Sequence, residues 1–166
     1  MQTVKFLAIL FAASTEILAE DAPSRRLIVN IAARKIVLVE DGKVLRMYPV
    51  AVGKHSTPSP SGSFRIASRV ANPTYSQHGR VVVKPGPSNP VGTRWMGLGY
   101  KGYGIHGTNH PESIGHAASH GCIRMRNQDV EELFELVRVG DEVDLITDES
   151  TLAEVTAGTA TLGGLQ

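Results

Sequence analysis

A chain of 166 residues, 42% hydrophobic and 20% charged, has apolar mass for one domain with its own core and too little for two ordinary ones. Its formal net charge of +1, with no long run of Lys and Arg, supplies no field to gather nucleic acid or anionic lipid. Nucleic acid is therefore not an expected partner.

Residues Met1 to Ala19 combine one cation, Lys5, with the apolar run Phe6 to Ala13 and end in a small residue before Glu20-Asp21. This is the pattern of a secretory signal peptide cut after Ala19, with a buried N-terminal helix as the competing reading. The run is far short of the ~20 residues that span a bilayer, so no transmembrane segment is expected in the mature chain. Export places that chain in the periplasm or cell envelope. Residues 20–26 read as a polar linker, 27–147 as the domain, and 148–166, rich in Thr, Ala and Gly, as a flexible tail.

Within the domain, Leu27 to Ile31 and Lys35 to Glu40 are β-rich runs, and Asp41-Gly42 between Lys35–Glu40 and Lys43–Val52 signals a tight hairpin. Gly53 to Gly62 is a Gly, Pro and Ser loop, after which Ser63 to Val70 resumes strand-like alternation. Breakers surround the β-branched run Val81 to Val83, so part of 71–90 reads as a surface loop or a lid over a cleft. Trp95 to Tyr100 and Tyr103 to His106 read as short glycine-rich strands, His106 ending the second. Gln128 to Arg138 is the one convincing helix: Val130, Leu133, Phe134 and Val137 recur at helical spacing, Asn127 is placed as N-cap, and Gly140 as terminator. Asp141 to Ile146 returns to strand alternation. The sum is a mostly β domain, sandwich or barrel-like, with one main helix at about 128–138.

The chemistry concentrates between Gly104 and Arg126, which holds the only cysteine, Cys122, and four of the six histidines: His106, His110, His116 and His120. A lone cysteine in an exported chain has no disulfide partner; it is either a small core residue or a reactive thiol. A free thiol is only a few per cent thiolate at neutral pH, so a catalytic one needs an imidazole to take its proton. His120, two residues before Cys122, shares its face on an extended segment, while His106 approaches from the preceding strand; spacing does not choose between them. Backbone N–H groups near Gly121 and Cys122 suit an oxyanion hole. Zinc held by these histidines and Cys122 is the rival reading, although the spacing lacks the paired C-x₂₋₄-C and H-x₃₋₅-H pattern of structural sites.

Ile105-His-Gly-Thr108 followed by Ser119-His-Gly-Cys-Ile-Arg-Met125 resembles the active-site signature of the L,D-transpeptidase catalytic domain, the YkuD-like family of bacterial cell-wall enzymes. Tyr48 to Gly53, Thr57 to Phe64, Asn89 to Gly92, Ile114-Gly115 and Val139 to Val143 resemble the family's framework in the same order, from about Arg26 to Thr147. The resemblance implies a mostly β fold and two-step acyl transfer on peptidoglycan stem peptides, with no cofactor and no metal. It implies Cys122 as nucleophile, His106 as general base and later acid, an oxyanion hole in the main chain of His120, Gly121 and Cys122, and the Gly107 carbonyl orienting His106. Arg124 and Ser119 fall at substrate-binding positions. The acceptor is a stem peptide, a lipoprotein lysine, a free D-amino acid or water; a non-catalytic wall-binding domain is the reading from another class. Gly107 stands where some members have serine, Ser59 where threonine is common, and His110 and His116 match no catalytic position.

Overall fold

The computed structural model describes residues 24–77, 79–100 and 102–147. The signal peptide, the start of the linker and the 148–166 tail read above lie outside the described residues. Among the described residues no helix is long and apolar enough to cross a membrane.

The larger sheet begins with locally coded features. Strands β1 (Arg25–Asn30) and β2 (Lys35–Glu40) are the two β-branched runs. Arg25 and Arg26, at the end of the stretch read as linker, already pair with Glu40 and Val39. Between β2 and β3 (Lys43–Pro49), Asp41 and Gly42 take φ values of 49° and 75°, both positive as a two-residue type I′ turn requires. The free edge of β1 is taken by the last strand, β13 (Glu142–Ile146), in parallel with Leu27 opposite Val143, and β13 pairs with β5 (Gly62–Arg65), giving the order β3-β2-β1-β13-β5. The first and last described strands thus meet at the centre of the sheet. Leu27, Val29, Ile36, Leu38, Val143 and Leu145 face the main core, and Ile28, Val37 and Val39 form a smaller cluster on the other face. Burial on both faces is why these strands read as unbroken apolar runs rather than alternating ones.

Ser63 to Val70, which reads as a single strand-like stretch, divides between two sheets. Ile66 is 1% exposed, and there the chain leaves β5, its N–H donating to the Asp141 carbonyl, before β6 (Ser68–Ala71) joins the second sheet. That sheet contains β9 (Arg94–Gly97), β10 (Gly104–His106) and β12 (Ile123–Arg124) in the order β12-β10-β9-β6. A parallel pair, β4 (Val52–Gly53) with β11 (Ala117–Ser119), and a hairpin, β7 (Tyr75–Gln77) with β8 (Arg80–Val83), complete the strands. The sheets stay open rather than closing as a barrel, and the architecture is sandwich-like.

Helix α1 (Asn127–Leu136) buries Val130 and Leu133 in the main core. Truncating Leu133 to Ala would cost about 2–5 kcal/mol through the cavity left behind. Two sequence expectations are corrected here. The helix ends two residues before Arg138, because Val137 turns extended at φ −104°, ψ 160°, and Gly140, at φ 99°, serves the turn into β13 instead. The N-cap position belongs to Arg126, which makes no side-chain cap, and Asn127 is the first helical residue with its side chain committed elsewhere.

Candidate active site

The site rests on the parallel pairing of β10 with β12, in which Ile105 lies opposite Ile123 and His106 opposite Arg124. Both isoleucines are buried in the core, so period-two alternation turns His106 and Arg124 to the other face together. That face floors a cleft of about 490 Å³, whose lining includes Trp95, His106, Ser119, His120, Cys122 and Arg124, with Pro73 to Ser76 along another wall. The 71–90 region, read as a loop or lid, supplies that wall through the segment entering and beginning the β7–β8 hairpin. Trp95 pairs with His106 across β9 and β10, and the two rings stack at 5.5 Å and 22°.

Cys122 is delivered by a turn between β11 and β12. The Ser119 hydroxyl donates to the Cys122 carbonyl at 2.5 Å and accepts the Gly121 N–H at 3.0 Å. Gly121 takes φ 112°, and a Cβ there would lie 2.3 Å from Cε1 of Tyr103, so both backbone and space demand glycine. The turn is braced from outside: the Ser119 carbonyl accepts from Lys54 N–H at 3.0 Å and from the Thr57 hydroxyl at 3.2 Å, and the Ser59 hydroxyl accepts the Gly53 N–H at 2.9 Å. Ser59 therefore has a defined bracing partner in this chain.

Three expectations change with this geometry. Ser119, placed among substrate-binding residues, lines the cleft but is 1% exposed and has its hydroxyl engaged on both sides within the turn. The Gly121 N–H, placed in the oxyanion hole, is held by Ser119, whereas the backbone N–H groups of His120 and Cys122 have no hydrogen-bond partner among the described residues. The positive φ of Gly121 interrupts the extended geometry assumed for His120 and Cys122, yet both line the cleft, His120 exposed and Cys122 partly buried.

His106 is 5% exposed, and its Nδ1 lies 2.6 Å from the Gly107 carbonyl. A carbonyl only accepts, so Nδ1 carries the hydrogen and the Nε2 lone pair is the basic one. Burial lowers the imidazole pKa to about 4; the Gly107 carbonyl opposes this and the Arg124 charge adds to it. Burial raises the Cys122 thiol, against a backbone hydrogen bond from Gly104 and the Arg124 charge, which both favour thiolate; the Sγ lies 3.9 Å from the Gly102 carbonyl. Burial is thus the largest cause at both groups and opposes charge on the thiol and on the imidazole alike. Arg124 makes no ion pair or side-chain hydrogen bond among the described residues. It stands in the cleft, where its charge acts on His106, Cys122 and Glu112.

His110 and His116 are exposed and lie outside the cleft lining; His110 Nδ1 meets Glu112 at 3.0 Å. Among the described residues no three His, Cys, Asp or Glu side chains converge as metal ligands, so the rival five-residue zinc set is not assembled. Trp95 and Tyr103, which shape the site, read in sequence only as strand residues. Glycines lie against both rings: a Cβ on Gly104 would lie 2.7 Å from Trp95 Cζ2 and one on Gly121 2.3 Å from Tyr103 Cε1.

The L,D-transpeptidase catalytic domain (YkuD) family matches residues 24–145. The putative L,D-transpeptidase YqjB of Bacillus subtilis is 41% identical over 128 residues, covering 74% of this chain and 71% of its own, and the putative L,D-transpeptidase YkuD of the same organism is 42% identical over 117 residues, 70% of this chain and 63% of its own. A solved LD transpeptidase in complex with imipenem shares the fold at TM-score 0.62 and 24% identity, covering 75% of this chain and 59% of that one. The open mostly β fold, the cleft floored by β10 and β12, and a family match across nearly all the described residues agree: the chain belongs to the L,D-transpeptidase catalytic-domain family.

Proposed function

We propose that the chain is an exported L,D-transpeptidase that acts on peptidoglycan tetrapeptide stems through a Cys122 thioester. The observation that carries the reading is one cleft lined by Cys122, by a buried His106 whose Nδ1 is taken by the Gly107 carbonyl and leaves Nε2 basic, and by Arg124. The Cys122 sulfur attacks the carbonyl carbon between the third and fourth stem residues while its proton passes to His106 Nε2. Burial opposes charge on both groups, which favours transfer in concert with attack. The tetrahedral oxyanion is received by the free N–H groups of His120 and Cys122. Collapse breaks the C–N bond, and D-alanine leaves with the proton from His106. An amine acceptor then gives a proton to His106, attacks the thioester carbonyl, and expels the sulfur, which recovers the proton. Arg124 offers its planar fork to a carboxylate or carbonyl of the donor.

Another stem peptide, a lipoprotein lysine, a free D-amino acid or water fits the same steps, water making the enzyme an L,D-carboxypeptidase. Mass spectrometry of products from purified muropeptides distinguishes them; loss of D-alanine with a new amide supports transfer, loss of D-alanine alone makes water the acceptor, and an unaltered donor rejects both. Family likeness makes imipenem a suitable probe of the first half, its strained amide standing in for the donor carbonyl. Wild type gains one imipenem mass, Cys122→Ala gains none, and folded His106→Ala gains it ~10²–10⁴-fold more slowly. An adduct on Cys122→Ala would reject the thiol mechanism. Export predicts mature material beginning near Glu20; recovery of intact Met1 from the envelope fraction would reject the cleavage site.

A further inference from the structure

The side chain of Asn127 does not serve its own helix. Its Oδ1 accepts the N–H of Thr108 at 3.1 Å and the N–H of Thr93 at 3.3 Å, both from loops on the cleft side of the chain. The Thr108 N–H and the Gly107 C=O are the two ends of one planar peptide unit. The far end of that unit, the Gly107 carbonyl, accepts from His106 Nδ1 at 2.6 Å. An unbroken line of hydrogen bonds therefore runs from the Asn127 oxygen through the 107–108 peptide to the imidazole, and such chains polarise one another.

The surroundings are built around that oxygen. A Cβ on Gly92 or on Gly107 would lie 2.2 Å from Asn127 Oδ1, so two glycines from separate segments make room for one acceptor. Gly92 takes φ 63° and closes the turn from Asn89, which is fully buried and bonded through Nδ2 to the Pro73 carbonyl at 2.7 Å. Room for the oxygen has a consequence at Gly107: without a Cβ, the backbone that must aim its carbonyl at His106 is the least restrained kind in the chain. Asn127 holds the other end of the same peptide and offsets that freedom.

We propose that Asn127 is a positioning residue for the reaction, fixing through the Gly107–Thr108 peptide the tautomer and aim of His106. The role rests on His106 being the base. Loss of the Asn127 oxygen leaves the peptide free to rotate, the Nδ1 hydrogen loses its fixed acceptor, and the Nε2 lone pair no longer stays aimed at the cleft. A misplacement of about 1 Å at a reacting group costs on the order of 10²-fold in rate.

The experiment follows imipenem adduct formation by intact-protein mass spectrometry in wild type, Asn127→Ala, Asn127→Asp, His106→Ala and the Asn127→Ala/His106→Ala double variant, with His106 ring ¹⁵N NMR on the first three. Asn127→Ala, folded by circular dichroism, is expected to react about 10²-fold more slowly and to lose the single Nδ1–H tautomer. Asn127→Asp keeps the acceptor oxygen and is expected to recover most of the rate, while its negative charge moves the His106 titration midpoint upward. The double variant is expected to be no slower than His106→Ala alone, since the two residues act in one line. Wild-type rate in Asn127→Ala, an additive double variant, or an unchanged tautomer would overturn the positioning role while slow His106→Ala leaves the base reading standing. Wild-type rate in His106→Ala would remove the base reading and this role with it. If Asn127→Ala does not fold, Asn127→Asp decides: a slow folded enzyme, or an unmoved His106 midpoint, overturns the proposal.

Discussion

Lowering the pH should destabilise this fold through His106 more than through any exposed histidine. The buried imidazole has its pKa lowered from 6.5 to about 4, with burial the largest cause, whereas in the unfolded chain it returns to 6.5. Between those values the unfolded state binds a proton that the folded state refuses, so stability is fully present above pH 6.5 and is lost as the pH falls through about 4. At about 1.36 kcal/mol per pH unit the interval is worth roughly 3 kcal/mol, a large share of the 5–15 kcal/mol typical of a domain. The ring is 5% exposed, so little of this is lost to solvent screening. Acidification also acts on carboxylates, Glu112 and Glu132 being held below the ordinary value by hydrogen bonds from the Glu112 backbone and from Arg46, so the comparison needs a neutral reference. His106→Gln supplies it. Urea unfolding of both proteins from about pH 7 to about pH 4 should show wild type losing roughly 3 kcal/mol more than the variant. Parallel stability curves would refute the idea that a neutral, buried imidazole occupies this position. The same burial predicts that the acid limb of imipenem acylation lies near pH 4 rather than at the ordinary histidine value, and a limb at 6.5 would contradict it.

Gly121→Ala combines a φ of 112° with a Cβ 2.3 Å from Tyr103, and should cost about 2–4 kcal/mol in urea unfolding and slow acylation. In a Tyr103→Ala background only the backbone part of that cost should remain, so an equal penalty in both backgrounds would reject the ring contact. Arg124→Lys keeps the charge and loses the planar fork; donor turnover should fall while unfolding midpoints stay within about 0.5 kcal/mol, and unchanged donor kinetics would make Arg124 a surface cation only. Chelator treatment should leave adduct formation unchanged, and loss of activity restored by zinc would overturn the metal-free mechanism.

Local physics was readable from the residues alone. Asp41-Gly42 announces its hairpin because both positions need positive φ and these residue types tolerate it, and the β1 and β2 runs announce buried strands because Val and Ile leave little else to form. The thiol of the cleft was equally visible, since Cys122 is the sole cysteine and lies inside a histidine- and glycine-rich signature. What remained undecided depends on contacts far apart in sequence. That His106 is buried and carries its hydrogen on Nδ1 while His120 is exposed at the same cleft follows from the strand register of β10 with β12 and from the turn at Gly121, neither of which spacing encodes. Ser119 reads as a polar residue near substrate until the turn closes and its hydroxyl is taken at both ends. Asn127 stands where an N-cap is expected by propensity, but the loop N–H groups of Thr93 and Thr108 claim its oxygen once Gly92 and Gly107 have made room. A residue type limits which hydrogen bonds a side chain is able to make, and the tertiary fold decides which partners arrive.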